Sequence, residues 1–282
     1  VPEGHTIHAL ARRLDAAYAD GVVAATSPQG RFTEGAALVD GSVWLGAEAF
    51  GKHLLVGLDL PRELAGTRLH VHLGLFGRFS VRQHRRKARP APDDLPVRGQ
   101  VRLRLVNDTH VGDLRGPTAC TLVDADEVAA LLARLGPDPL REDADPEAGW
   151  RTISRSRRSI GALLMDQSVV AGVGNVYRAE VLHRARLDPF TPGRDLPREV
   201  YDELWSDLVR LMAVGVEVGS IVTREDDLER TLYWEGRGRF RASYEVYRRA
   251  GQACRRCGER IRSAEMVART LTWCPGCQVA PS

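Results

Sequence analysis

The stretch Asp166-Gln167-Ser168-Val169-Val170-Ala171-Gly172-Val173-Gly174-Asn175-Val176-Tyr177 decides the reading, because two helical patterns meet in it. Upstream, Ser159 precedes Ile160, Leu163 and Leu164; downstream, Val176, Ala179, Val181 and Leu182 fall on one face. Apolar residues at three- and four-residue intervals mark an amphipathic helix. Between the two, Gly172 and Gly174 supply turn conformations and Asn175 is placed to cap the second helix. The stretch therefore reads as a helix, two turns and a helix. A helix N-terminus presents unsatisfied N–H groups that suit phosphate, so residues 172–175 offer amides and an Asn side chain to a nucleic-acid backbone. Taken alone, the same residues read first as a plain structural turn between packed helices; the terminal cysteine hairpin and the Arg clusters turn the reading towards DNA.

Towards the C-terminus, a third helix fits residues 196–214, with Pro197 in its first turn. From Arg241 onward eight Arg stand against three Glu, and two Cys-x-x-Cys pairs follow, Cys254/Cys257 and Cys274/Cys277. The sixteen residues between the pairs are enough for two strands and a turn but too few for a core. Four thiolates on two such knuckles suit one tetrahedral Zn2+. With four protein ligands no position is left for a water, so the metal is expected to be structural. Cys120 stands apart and reads as a small buried hydrophobe.

Towards the N-terminus the texture changes. Residues 136–149 are rich in Asp, Pro and Gly and read as a connection between domains. Residues 22–123 carry short apolar or alternating runs at 42–45, 53–58, 69–73, 79–81 and 101–106, the pattern of an antiparallel sandwich or barrel. Ahead of them, Ile7, Leu10, Ala11, Leu14 and Tyr18 give an amphipathic helix over 5–19. The fold class expected is α+β and multidomain. Residues 1–123 form a β-sandwich domain, 124–149 a linker with a connecting helix, 150–240 the helical domain and 241–282 a zinc hairpin.

With 43% hydrophobic and 27% charged residues, the chain is neither disordered nor fibrous. No apolar run approaches the ~18 residues of a spanning helix. Charges at Glu3, Arg12, Arg13, Asp15 and Asp20 read against a secretory signal. Only Lys52 and Lys87 among the 40 basic residues are lysine. Arg82, Arg85, Arg86, Lys87 and Arg89 form one basic cluster, and Arg151, Arg155, Arg157 and Arg158 another. Such clusters are either solvated faces or phosphate-binding surfaces.

Pro2-Glu3 is the chemically loaded pair. A terminal proline has a secondary amine with a pKa near about 8, which attacks an aldehyde-like carbon to give an iminium. Glu3 beside it is a candidate general acid. Residue 1 is Val, so the amine is free only after that residue is removed. A GTG start read as Met and then trimmed is the expected route.

Five dispersed motifs, in order along the whole chain, resemble the formamidopyrimidine-DNA glycosylase and endonuclease VIII family. They are Pro2-Glu3-Gly4-His5-Thr6, Gly51-Lys52-His53-Leu54, His72-Leu73-Gly74-Leu75-Phe76-Gly77, the 166–177 stretch and the terminal zinc finger. The resemblance implies a β-sandwich, a helix–two-turn–helix domain and a zinc hairpin, with damaged double-stranded DNA bound in a cleft between the halves. It implies that Pro2 attacks C1′ and forms a Schiff base, that Glu3 protonates the sugar ring oxygen, and that β,δ-elimination nicks the strand. Lys52 matches a strand-borne lysine that contacts the phosphate beside the lesion and assists proton transfer. Asn175 and Arg269 match residues that hold backbone phosphates. Leu75 and Phe76 match the wedge that fills the hole left by the extruded base; read without the resemblance they are strand core.

Leu75-Phe76-Gly77 is nearer to the Leu-Tyr-Gly of endonuclease VIII than to the Met-Ser-Gly of the purine-directed branch, and the Gly-His-Thr start resembles the actinobacterial endonuclease VIII-like group. Oxidised pyrimidines and abasic sites are therefore the expected substrates, handled by a monomer in the bacterial cytoplasm. The alternatives are a purine-directed glycosylase, a binder of damaged DNA that does not cut, and a nucleic-acid-binding zinc protein in which Pro2 and Glu3 are incidental.

Overall fold

The computed structural model describes residues 2–85, 89–236 and 240–281. Val1, and Arg86 and Lys87 of the first basic cluster, lie outside the described residues. Contacts divide the chain into two units, Val1–Pro2 with Ile7–Ala133 and Glu3–Thr6 with Arg134–Ser282.

The first unit is a sandwich of two four-stranded antiparallel sheets. Helix α1 (Gly4–Tyr18) begins close to the expected start and buries Ile7, Leu10, Leu14 and Tyr18, the residues its period places on one face. β1 (Ala24–Thr26) and the short α2 (Thr33–Val39) follow, then β2 (Trp44–Phe50), β3 (His53–Leu58), β4 (Arg68–His72), β5 (Arg78–Gln83), β6 (Val101–Val106), β7 (His110–Arg115) and β8 (Ala119–Val123). The sheets run β2-β3-β4-β8 and β1-β6-β7-β5. Leu54, Val56, Leu69 and Val71 from one and Leu103, Leu105 and Leu114 from the other share a core with α1. Val56 pairs with Leu69 and Leu54 with Val71, so alternate positions present one apolar face.

One strand differs from the expectation. The apolar run at 42–45 pointed to a strand there, whereas β2 starts at Trp44 and continues to Phe50. Its register shifts between Trp44 and Gly46 and leaves Leu45 exposed. A bulge breaks the two-residue alternation on which a strand is recognised. Cys120 is buried in β8, and burial pushes its thiol up to about 12.

The second unit is helical and ends in a hairpin. α3 (Ala125–Leu132) lies before its start, capped by Asp124. Within it come α4 (Pro146–Ile153), α5 (Ile160–Leu163), α6 (Asn175–Arg184), α7 (Arg198–Val218) and α8 (Glu225–Thr231). Pro197 is the N-cap of α7, and Gly219 closes that helix in the left-handed conformation, with φ of 68°. β9 (Arg262–Met266) and β10 (Arg269–Trp273) pair antiparallel across a turn at Val267 and Ala268. No helix among the described residues is long and apolar enough to cross a membrane.

Candidate functional site

Glu3 is 1% exposed and accepts three backbone hydrogen bonds from the N-terminus of α6. Its Oε2 takes the N–H of Gly174 at 3.0 Å and that of Tyr177 at 3.4 Å; its Oε1 takes Val176 at 2.9 Å. The cap of this helix is thus a carboxylate some 170 residues earlier in the chain. Of the 172–175 amides expected to face a phosphate, that of Gly174 is taken by Glu3 and that of Gly172 by Gln167. Asn175 is also not the N-cap: Gly174 holds that position, in an extended conformation, and Asn175 is the first helical residue.

The turn is built to admit the carboxylate. A Cβ on Gly174 would stand 2.4 Å from Glu3 Cδ, and one on Gly4 would stand 2.8 Å from Gly172 Cα. The Gly4 amide donates to the Gly172 carbonyl at 2.8 Å. Gln167 holds the turn from within, its Oε1 accepting from Gly172 N and its Nε2 donating to Val173 O. Burial, and then the Glu3 charge, raise the Tyr177 hydroxyl well above its ordinary range.

From its first turn, α6 grips both strands of the hairpin. Asn175 Nδ2 donates to Thr270 O at 2.9 Å, while Asn175 Oδ1 accepts from Arg178 Nη2. Arg178 is fully buried and reaches Gly161 O at 3.3 Å and Met266 O at 3.4 Å through Nη1. Burial lowers its guanidinium to about 10, with Glu3 opposing that shift and Arg269 adding to it. Arg269 itself is exposed at the head of β10, beside the turn formed by Val267 and Ala268 at φ of 54° and 52°. Neither Gln167 nor Arg178 was singled out from sequence. The legible signal for Arg178 was its place three residues after Asn175, on the same helix face.

In the first unit, Lys52 lies in the two-residue turn Gly51-Lys52 joining β2 to β3, and not within a strand. Gly51 has φ of 59°, which lets so short a turn close. Lys52 neighbours a histidine cluster that the sequence reading did not assemble. His53 Nδ1 lies 2.9 Å from His70 Nε2, and the His53 and His72 rings are 4.8 Å apart. The pairing of His53 with His72 and the two-residue spacing of His70 and His72 put all three on one face. Burial lowers both His70 and His72, with the charge of His72 adding to the first shift and that of Lys52 to the second.

Leu75 and Phe76 are not strand core. They occupy the turn between β4 and β5, with Leu75 42% and Phe76 91% exposed. Gly77 closes that turn through a 2.9 Å bond to Leu73 O, and a Cβ there would meet that oxygen at 2.1 Å.

The four cysteines converge. The sulfurs of Cys254, Cys257, Cys274 and Cys277 all lie within 4.8 Å of one another. Cys254 and Cys277 are 3.8 Å apart, and Cys257 and Cys274 are 3.4 Å apart. Such spacings are too long for disulfides. A tetrahedral ion bound at ~2.3 Å separates its sulfurs by about 3.8 Å, so the set fits one metal ion.

A family model for the formamidopyrimidine-DNA glycosylase H2TH domain matches residues 135–227. The chain is 48% identical to "Endonuclease 8 1" of Mycobacterium tuberculosis, over 99% of this chain and 100% of that protein. It is 34% identical to the formamidopyrimidine-DNA glycosylase of Thermus thermophilus, over 86% of this chain and 85% of that one. The crystal structure of the MutM (Fpg) protein from T. thermophilus superposes over the full length of both chains, with a TM-score of 0.73 at 28% identity. The Lactococcus lactis Fpg complexed with abasic-site DNA has the same fold, with a TM-score of 0.76 over 98% of this chain and 99% of that one, at 21% identity. Length, order of motifs and degree of identity agree: the chain belongs to the formamidopyrimidine-DNA glycosylase and endonuclease VIII family of base-excision repair glycosylases and abasic-site lyases.

Proposed function

We propose that this enzyme excises oxidised pyrimidines from duplex DNA and cuts at the resulting abasic site by β,δ-elimination, acting as a monomer in the bacterial cytoplasm. The observation that carries the reading is the Glu3 carboxylate, fixed by α6 and covalently next to Pro2. With Val1 removed, the Pro2 nitrogen attacks C1′ of the damaged nucleotide. The C1′–base bond breaks, the base leaves with its electron pair, and the sugar ring opens as an iminium forms. Glu3, placed one residue away, delivers a proton to the ring oxygen and moves protons in the eliminations. Lys52 and Asn175 bind the phosphates around the lesion, and Arg269 binds those flanking the extruded nucleotide. Leu75 and Phe76 fill the gap in the duplex, a role their exposure supports. The four-cysteine cluster holds one structural Zn2+ that keeps the Arg269 hairpin folded.

The test is borohydride trapping on a duplex with one abasic site, using protein that begins at Pro2. A covalent band that disappears in Pro2→Gly supports the mechanism. Its absence, from protein verified by mass and zinc content, leaves a binder of damaged DNA. Excision of 8-oxoguanine faster than thymine glycol would move the enzyme to the purine-directed branch. Glu3→Gln is a poor substitute for Pro2→Gly, because its amide group would turn a donor towards the α6 amides.

A further inference from the structure

The C-terminal end of α6 reaches the cysteine cluster. His183, in the last turn of that helix, is fully buried, and its Nε2 lies 3.7 Å from Cys254 Sγ. Its backbone carbonyl accepts from Nη1 of Arg256, a residue inside the first Cys-x-x-Cys knuckle, at 3.3 Å. The second knuckle is tied to the residues just after α6. Gln278 Oε1 accepts from Cys274 N at 2.9 Å, and its Nε2 donates to Leu187 O at 3.1 Å.

We propose that His183 is an outer-shell residue of the metal centre, donating its Nε2–H to the Cys254 thiolate and so slowing loss of the metal. The proposal rests on the reading of the four-cysteine cluster as a zinc site. Four thiolates around one divalent cation leave an excess of negative charge, which water or hydrogen-bond donors must stabilise. Cys257 is exposed to water, whereas Cys254 is 3% exposed. The buried sulfur therefore needs a protein donor, and an unsolvated hydrogen bond there is worth more than one at the surface. A metal-bound thiolate offers only lone pairs, so the imidazole must carry hydrogen on Nε2. On the other side of the ring, Nδ1 is buried with no hydrogen-bond partner. The opposite tautomer would point a lone pair at the thiolate and leave a buried N–H without an acceptor. Metal loading and tautomer are thus linked.

The consequence is a helix that braces the zinc hairpin from both ends. Asn175 holds β10 at the start of α6, and His183 holds the first knuckle at its end. Losing an outer-shell partner typically lowers metal affinity about 10–100-fold.

The experiment uses the zinc-loaded full chain, with zinc content measured first, and follows zinc release to a chromogenic chelator. His183→Phe keeps the ring and removes the donor; His183→Gln keeps a donor at the Nε position. The expected result is release about 10–100 times faster in His183→Phe, with His183→Gln restoring most of the difference. Faster alkylation of Cys254 by iodoacetamide should accompany it. Release from His183→Phe at the wild-type rate would overturn the outer-shell role and leave the zinc reading intact. Wild-type protein without zinc would overturn both. Should His183→Phe not fold, long-range 15N spectra of the wild-type holoprotein decide: a hydrogen on Nε2 is expected, and one on Nδ1 with Nε2 bare overturns the proposal.

Discussion

The carboxylate of Glu3 lies so close over Gly174 that a Cβ on that glycine would stand 2.4 Å from Glu3 Cδ. The φ of Gly174 is −127°, open to any residue, so space alone demands glycine here. Gly174→Ala should push Glu3 away from the α6 amides and leave buried donors unpaired. The expected cost is about 1–3 kcal/mol in urea or thermal unfolding, together with a large fall in borohydride trapping. Wild-type stability and trapping in this variant would show that Glu3 is not held as described.

Asn175 links the first turn of α6 to Thr270 and is a side-chain partner of the buried Arg178. Asn175→Ala should therefore cost about 1.5–3 kcal/mol, the range for hydrogen bonds to charged groups. Limited proteolysis should cut the 262–273 hairpin sooner than in wild type. A variant that loses DNA affinity with no change in hairpin protection would assign Asn175 to phosphate binding alone.

Substitution of Phe76 should separate stability from activity. At 91% exposure its side chain contributes almost nothing to the core. Phe76→Ala should unfold within about 0.5 kcal/mol of wild type. Excision of a base from duplex DNA should fall at least about tenfold, since the vacated stack is left unfilled. Trapping at a preformed abasic site should fall less, and equal losses on both substrates would remove Phe76 from base extrusion.

Removal of the metal should unfold the hairpin and spare the rest. The buried cluster beneath it consists of Ala179, Val246, Ile261 and the three cysteines Cys254, Cys274 and Cys277. Half of that core is the ligand set itself, so it does not hold together without the ion. Chelation, or Cys274→Ser, should abolish DNA binding while most helical circular dichroism remains. Undiminished DNA binding in metal-free protein would contradict this.

The histidine cluster gives a pH dependence of known sign. His70 and His72 are both lowered in the fold, chiefly by burial. The unfolded chain takes up these protons near about pH 6.5, whereas the native state takes them up only at lower pH. Between those limits the unfolded state binds more protons, so stability falls as pH falls from about 6.5. Urea midpoints should drop between about pH 7.5 and 5.5, and His70→Gln should reduce the drop. A midpoint that rises towards acid pH would contradict the burial of these imidazoles.

Local pattern by itself determined a good deal of this protein. The three-four spacing of Ile7, Leu10, Leu14 and Tyr18 made α1 legible, and the short apolar run at 53–58 and the alternation in 101–106 made β3 and β6 so. The spacing of the cysteine pairs announced a metal site, because two knuckles and a hairpin are local chemistry. Tertiary structure alone decided who caps α6. Glycine and asparagine before a helix signal a local cap, yet the acceptor is Glu3, which no sequence window near residue 174 contains. The burial of Arg178, the meeting of His53 with His70, and the approach of His183 to Cys254 are of the same kind. Each depends on strands or helices distant in sequence being packed together, and hydrogen bonding of buried polar groups is settled only when their surroundings are in place.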